Sequence, residues 1–273
     1  MTALITASTV LVALAAAARS SWSPCGLSML STITPLAEQG RGHRFGITAT
    51  WFVVGGALGG ACLGLLAAVL ALVPRSFDPA GQVVATIALG AALAAAASDA
   101  RLVGLKLPYH RRQVNELWLD RYRPWVYGLG FGWQIGSGVT TYVMTAGVYL
   151  LVLLGGLTGS PGLAILGCTV FGLARGLAVL LGAGITTPAE LRSFHRTFHT
   201  LGEPVRILVE LSELTVAFAM LGFLSGPALG VGSVRGGLIA FVTGVLLTTG
   251  VFCVSGTREL RAKAATSTAA TVH

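Results

Sequence analysis

Charged residues are scarce in this chain: Asp, Glu, Lys and Arg make up 10% of its 273 residues, against 54% hydrophobic residues and a mean hydropathy of +0.79. That is too little polar material to cover the surface of a soluble domain. Long apolar runs recur along the whole length, and each can cross about 30 Å of hydrocarbon as a helix. The alternating pattern of a membrane β-barrel is absent. The sequence therefore predicts an all-α, polytopic integral membrane bundle of about seven transmembrane helices.

Cysteine is also rare, and no Cys-X-X-Cys pair occurs. The four cysteines are Cys25, Cys62, Cys168 and Cys253. None has a histidine close to it in sequence, so we expect no structural zinc site. His195 and His199 have a chelating i, i+4 spacing but lack a convincing third ligand, and we interpret them as solvated interfacial side chains. No metal and no cofactor is expected.

Glycine, by contrast, is abundant, with 37 residues. The stretch from Gly128 to Gly132 could suggest a dinucleotide-binding loop, but no strand precedes it, so that interpretation is rejected. Small residues at four-residue spacing, as in 56–60 and 172–176, are typical of helices that approach closely in lipid. We therefore expect these glycines to serve helix packing.

The apolar runs predict seven spans, with boundaries good to a few residues. They cover residues 3–36, 45–73, 82–105, 126–156, 161–186, 205–228 and 235–255. The first is too long for one straight span, since its length corresponds to a helix of about 51 Å. Pro24 and Pro35 also interrupt it. We expect a break near Ser23-Pro24-Cys25-Gly26.

Positive charge is distributed unevenly between the predicted loops. Of the eighteen Lys and Arg residues, Arg75 and Arg235 fall on one side of the bilayer, Arg19 and Arg175 lie inside spans, and the rest fall on the other side. Cytoplasmic loops carry such an excess, so the N-terminus is predicted outside the plasma membrane and the C-terminus in the cytoplasm. The same clustering accounts for the net charge of +8 without a nucleic-acid partner.

Two cytoplasmic loops are long enough to hold structure. In the loop predicted at 107–125, residues 109–125 mix Arg, Tyr and Trp in the manner of an interfacial helix. In the other, Thr187-Pro188-Ala189-Glu190 is a capping box with proline at the first helical position. A short helix should begin there.

The two halves of the chain can be aligned as an internal repeat, with residues 22–26 matching residues 133–137. Such an alignment predicts two inverted three-helix repeats, and a functional site where the repeats meet. The predicted organisation is a single transmembrane domain, with repeats at about 1–106 and 126–228, an extra helix at about 235–255 and a disordered tail at about 262–273.

The segment Ser23-Pro24-Cys25-Gly26-Leu27-Ser28-Met29-Leu30 resembles the Pro-Cys motif in the first span of the CcdA/DsbD family of membrane thiol-disulfide carriers. The resemblance implies transfer of reducing equivalents across the membrane, as in cytochrome c biogenesis, with Cys25 as nucleophile and a thioredoxin-like partner. Gly136 stands where that family has its second cysteine. Cys168 or Cys62 would then have to resolve the mixed disulfide.

Two other functions remain open from the sequence. The related LysE-type exporters suggest a secondary transporter, in which Pro24, Ser28, Gly136 and Thr140 would bind a small solute. A third alternative is a non-catalytic scaffold subunit, in which Cys25 would be a buried small hydrophobe.

Charged residues inside spans are costly, at about 2.5–3.5 kcal/mol each at a helix centre, and tend to be paired or functional. Arg175 lies about 9 Å from the cytoplasmic boundary at 1.5 Å per residue, and Glu210 and Glu213 lie about 7 and 12 Å deep. We therefore predict a buried ion pair or proton relay between Arg175 and one of these carboxylates. Asp99 and Arg101 are interpreted as boundary residues.

Overall fold

The computed structural model describes residues 1–102, 117–138 and 140–270, with side chains up to residue 258. Every regular element in these ranges is helical. In chain order they are α1 (Thr2–Ser21), α2 (Pro24–Thr32), α3 (Pro35–Gly40), α4 (Phe45–Phe77), α5 (Gly81–Asp99), α6 (Trp118–Arg121), α7 (Pro124–Gly136), α8 (Gly147–Leu157), α9 (Pro161–Leu177, followed by a 3-10 turn, Ala178–Gly182), α10 (Pro188–Thr200), α11 (Gly202–Ser225) and α12 (Ser233–Ala270).

Six of these helices are long and apolar enough to cross a membrane: α1, α4, α5, α9 with its 3-10 turn, α11 and α12. The predicted fourth span is broken into α7 and α8. Both halves pack along α4 in the same direction, because Gly128 lies beside Thr48 and Gly156 lies beside Leu70. The multi-pass helical bundle is confirmed, and α7 with α8 extends along most of one long helix.

The predicted break in the first span is also confirmed. Helix α1 ends at Ser21, and α2 begins at Pro24, whose missing N–H suits the first helical position. The Ser23 hydroxyl caps α2 by accepting a hydrogen bond from the Gly26 backbone N–H at 3.1 Å. Any Cβ on Gly26 would overlap the Ser21 carbonyl oxygen. Ser23, Pro24 and Gly26 therefore each have a local structural role.

Helix α4 packs against two neighbouring helices, and glycines lie at both contacts. Gly55 and Gly59 contact α7, and Gly56 and Gly60 contact α9. A Cβ at any of these positions would lie within van der Waals overlap of backbone atoms in the neighbouring helix. The expectation that these small residues serve close helix packing is confirmed.

Helix α10 begins with the predicted capping box, in which Thr187 and Glu190 satisfy each other's backbone N–H groups. It is anchored on the break after α1, where the Trp22 indole stacks on Phe198 at 4.1 Å and donates to its carbonyl oxygen at 2.7 Å.

Two predictions about segments outside the bundle have different outcomes. Most of the predicted interfacial helix at 109–125 lies outside the described residues, although α6 and the start of α7 fall within it. At the C-terminus, α12 continues to Ala270, whereas a disordered tail was expected from about 262. The alanines in this stretch favour continued helix, and no proline interrupts it.

Candidate functional site

Glu213 is the centre of the candidate site. It lies in the middle of α11, its side chain is fully buried, and neither carboxylate oxygen has a hydrogen-bond partner among the described residues. A buried carboxylate with no partner is costly, and such groups in native proteins mark functional positions more often than structural ones.

Asp99, at the end of α5, holds the start of α8. One carboxylate oxygen accepts the Ala146 backbone N–H at 2.8 Å, and the other accepts the hydroxyl of Thr145. The Thr145 hydroxyl oxygen in turn accepts the Gly147 backbone N–H at 3.0 Å. A carboxylate is favourable here because the first N–H groups of α8 point toward it. Asp99 therefore links the end of α5 to the start of α8, and its interpretation as a boundary residue missed this role.

Gly147 brings these groups together. A Cβ built on it would lie 3.1 Å from the Thr145 hydroxyl oxygen, 3.4 Å from Oε1 of Glu213 and 3.3 Å from Cβ of Ala16. The two oxygens thus flank the same face of Gly147, and Asp99 and Glu210 are close enough to Glu213 to interact with its charge. We call the carboxyl groups of Asp99, Glu210 and Glu213, together with the Thr145 hydroxyl, the carboxylate cluster.

Arg175 is buried in a different place. Its side chain is 2% exposed, donates to the carbonyl oxygens of Ile135 and, at 3.2 Å, Ser20, and lies 5.7 Å from the centre of the Phe171 ring. Those carbonyls belong to the last turns of α7 and α1. The carbonyl ends of two helices therefore stabilise the guanidinium charge.

The predicted ion pair between Arg175 and Glu210 or Glu213 is wrong. Glu210 pairs with Arg206 one turn earlier on its own helix. Arg175 and the two glutamates could share a predicted depth in the membrane without touching, because their helices have different main neighbours. Helix α9 packs mainly on α4 and α1, whereas α11 packs mainly on α12 and α5. The sequence supplied the depth of each charge but not which helices are neighbours.

The cysteines do not form a redox pair in the described residues. Cys25 is buried beside Met29 and Ile33, whereas Cys168 is buried in a separate apolar cluster and Cys62 is exposed beside Trp133. No disulfide joins any of them.

The remaining predicted solute-binding residues lie at the two helix breaks. Pro24 begins α2, the Ser28 carbonyl oxygen accepts the Thr32 hydroxyl at 2.9 Å, and the Thr140 hydroxyl donates to the Gln134 carbonyl at 2.7 Å. Gly136 cannot carry a side chain, since a Cβ there would overlap the Gly56 carbonyl oxygen. That contact explains why a glycine occupies the position aligned with a cysteine.

The two breaks meet at a small cavity beside Arg175, lined also by Gly26, Met29 and Ile135. Its volume is about 10 Å³, which is the lower limit for a single water molecule. This cavity is too small for a solute in the conformation described.

Sequence reasoning missed a second buried carboxylate, Glu38. It is fully buried but satisfied: it pairs with Arg41 at 2.9 Å and accepts the hydroxyls of Thr48 at 2.6 Å and Tyr127 at 2.7 Å. These bonds tie α3 to α4 and α7. Glu38 lies between the predicted spans 3–36 and 45–73, so its position in the sequence gave no signal of burial.

His195 also has a defined contact, since its Nε2 lies 2.7 Å from the Ser31 hydroxyl oxygen. This hydrogen bond joins α10 to α2 and supplements the stacking of Trp22 on Phe198. Helix α10 is thereby fixed to the segment that follows the first helix break.

Comparison with known proteins finds similarity to proteins named methylamine utilization protein MauF. The chain is 33% identical to the one from Methylophilus methylotrophus over 173 residues, covering 59% of this chain and 56% of that protein. It is 34% identical to that of Paracoccus denitrificans over 171 residues (60% and 59%) and 30% identical to that of Methylobacillus flagellatus over 191 residues (65% and 63%). No family model matches the chain, and no solved structure matches it.

These relatives overturn the resemblance to the CcdA/DsbD carriers. The similar proteins carry the name methylamine utilization protein MauF, and none of them is named as a CcdA or DsbD carrier. The function inferred from that resemblance, transfer of reducing equivalents in the manner of cytochrome c biogenesis, is therefore corrected. The expectation of a thioredoxin-like partner rested on the same resemblance and loses its basis. The eight-residue motif was too short to identify a family, and its Ser, Pro and Gly are explained by the break between α1 and α2.

Proposed function

We propose that this chain is an integral membrane component of methylamine utilization and that the carboxylate cluster is its working centre. The similarity to MauF proteins, at 30–34% identity over 171–191 residues, is the observation that carries the proposal. Glu213 is buried and has no hydrogen-bond partner in the described part of the chain, which supports a role inside the bilayer.

The similarity covers only part of each related protein, which limits the proposal to that part. In these comparisons the chain spans 56–63% of the length of the curated relatives. The proposed role is therefore assigned to the shared helical bundle. We place that bundle in the plasma membrane with the N-terminus outside, on the basis of the excess of Lys and Arg in the loops of one side.

Complementation tests the proposal. A Paracoccus denitrificans strain lacking its own mauF gene would receive this chain on a plasmid, and growth would be measured with methylamine as the sole carbon source. We expect the chain to restore growth that the deletion removes. No restoration, despite a folded chain in the membrane fraction, would contradict the proposal.

Two variants test the carboxylate cluster in the same strain. Glu213→Gln removes the buried charge while keeping the shape of the side chain, and we expect it to reduce growth on methylamine at least tenfold. Asp78→Asn is the matched control, because Asp78 is an exposed carboxylate in the turn between α4 and α5. It should grow as the unmodified chain does, and equal growth of both variants would remove the cluster from the mechanism.

A further inference from the structure

We propose that Glu213, Asp99 and Thr145 form a binding site for one small alkylammonium ion. The choice of methylammonium within that class rests on the proposed function, since a primary amine is protonated at neutral pH. The site itself rests on the geometry of the described side chains.

The donors and acceptors at the site do not balance. Both oxygens of Glu213 are buried and receive no hydrogen bond from any described residue, whereas the nearby backbone N–H groups of Ala146 and Gly147 are already bound by Asp99 and Thr145. The Thr145 hydroxyl proton is directed to Asp99. The group that would satisfy Glu213 must therefore bring donors of its own, and an ammonium group carries three donors and no acceptor.

The charges around the site are also unequal. The described groups that interact electrostatically here include the carboxylates of Asp99, Glu203, Glu210 and Glu213. The cations facing them are Arg19, on α1, with Arg101 and Arg206. Among the described residues, salt bridges join Arg206 to Glu203 and Glu210 and none reaches Asp99 or Glu213, so a monovalent cation at the site would meet two carboxyl groups that have no ion-pair partner.

The immediate surroundings suit a small ion with an apolar group. Gly147 presents no side chain between the Thr145 hydroxyl and Glu213, and Ala16 of α1 lies against the same face. Ala16 belongs to the same buried hydrophobic cluster as Ala13, Ala17, Ala92 and Ala95 of α1 and α5. A methyl group on the ion would be in apolar contact with Ala16.

A route to the site follows one face of α11. Glu203 is exposed near the start of the helix, Arg206 bridges it to the partly exposed Glu210, and Glu213 lies one turn deeper. The distance from Glu203 to Glu213 is about 15 Å along the helix axis. Arg206 holds both carboxylates at once, so a cation that moves along this face toward Glu213 would have to displace it from Glu210.

Ligand-dependent thermal stability of the purified chain tests this inference. Unfolding would be followed at fixed pH and ionic strength with methylammonium chloride, sodium chloride or choline chloride. A ligand that binds only the folded chain raises the Tm in a concentration-dependent way. We expect methylammonium to raise the Tm of the unmodified chain and of Asp78→Asn. Sodium should have little effect, and choline, which has no N–H donor, should have none.

Variants of the site sharpen the test. The Tm shift should be lost in Glu213→Gln and Thr145→Val, and kept in Thr145→Ser, which retains the hydroxyl. Because a variant could fail to fold, binding of radiolabelled methylammonium to the unmodified chain provides a second measurement, with at least tenfold weaker binding expected for Glu213→Gln.

Three results would overturn the inference. They are a methylammonium shift of the same size in Glu213→Gln, an equal shift with sodium, and a response to pH with none to methylammonium, which would identify a proton site. The proposed role in methylamine utilization would survive each of them if complementation succeeds. Conversely, specific binding without complementation would support the site and contradict that role.

Discussion

Two buried charges of opposite sign lie in this bundle, and their surroundings differ. Arg175 donates to carbonyl oxygens at the ends of α1 and α7, so its charge is stabilised by backbone. Glu213 has no hydrogen-bond partner among the described residues, although it is equally buried. The difference separates a charge that holds the fold together from one whose stabilisation must come from outside the described side chains. Burial alone would have classed the two together.

The largest expected effect concerns Arg175. Replacing it with methionine keeps an unbranched apolar stem and removes the guanidinium group with both hydrogen bonds to the helix ends. We expect the free energy of unfolding to fall by about 3 kcal/mol, since each hydrogen bond to a charged group contributes about 1.5–3 kcal/mol. Arg175→Lys, which keeps the charge and can keep one bond, should lose less. Thermal unfolding of the purified variants would measure both, and an unchanged Tm for Arg175→Met would mean that the helix-end carbonyls add no stability through this side chain.

An intermediate effect comes from comparing the two buried glutamates. Glu38→Gln breaks an ion pair with Arg41 and weakens two hydroxyl contacts, so we expect it to cost about 1–3 kcal/mol. Glu213→Gln removes a carboxylate that has no partner among the described residues, so it should not lower the free energy of unfolding. Chemical or thermal unfolding of the two variants side by side checks this. A larger loss in Glu213→Gln than in Glu38→Gln would mean that Glu213 is satisfied in the resting protein.

The smallest effect belongs to an exposed charge, Glu190. Hydrogen bonds from the backbone N–H of Thr186, its hydroxyl and the backbone N–H of Thr187 hold the pKa of this carboxyl below its usual value. Its contribution to the stability of α10 is therefore fully present above its unfolded pKa of about 4.3 and is lost as pH falls through the lower folded value.

Hydrogen exchange at the start of α10 measures that contribution. After correction for intrinsic exchange rates, protection should decline below about pH 4 in the unmodified chain. Glu190→Gln keeps the capping acceptor without titrating, so its protection should not depend on pH in that range. The same decline in Glu190→Gln would assign the effect to another group.

Much of the fold could be predicted because it follows from local chemistry. The capping box at Thr187 and Glu190 and the break at Pro24 depend only on adjacent residues. The glycines at four-residue spacing predicted close helix approach without naming the partner helices. Only part of the candidate site could be predicted from the sequence. Glu213 was identified by its position inside a span, whereas Asp99 was interpreted as a boundary residue because it lies near the end of one.

What the sequence determined by itself is the set of helices, where one of them breaks, and how deep each charge lies, because hydropathy, proline and the rise per residue act along a single helix. Only the tertiary structure decided that Arg175 meets the carbonyl ends of α1 and α7, while Asp99, Thr145 and Glu213 converge at Gly147. The physical reason is that pairing depends on which helices are neighbours and which faces they turn to each other. Those features are set by glycine contacts between distant parts of the chain.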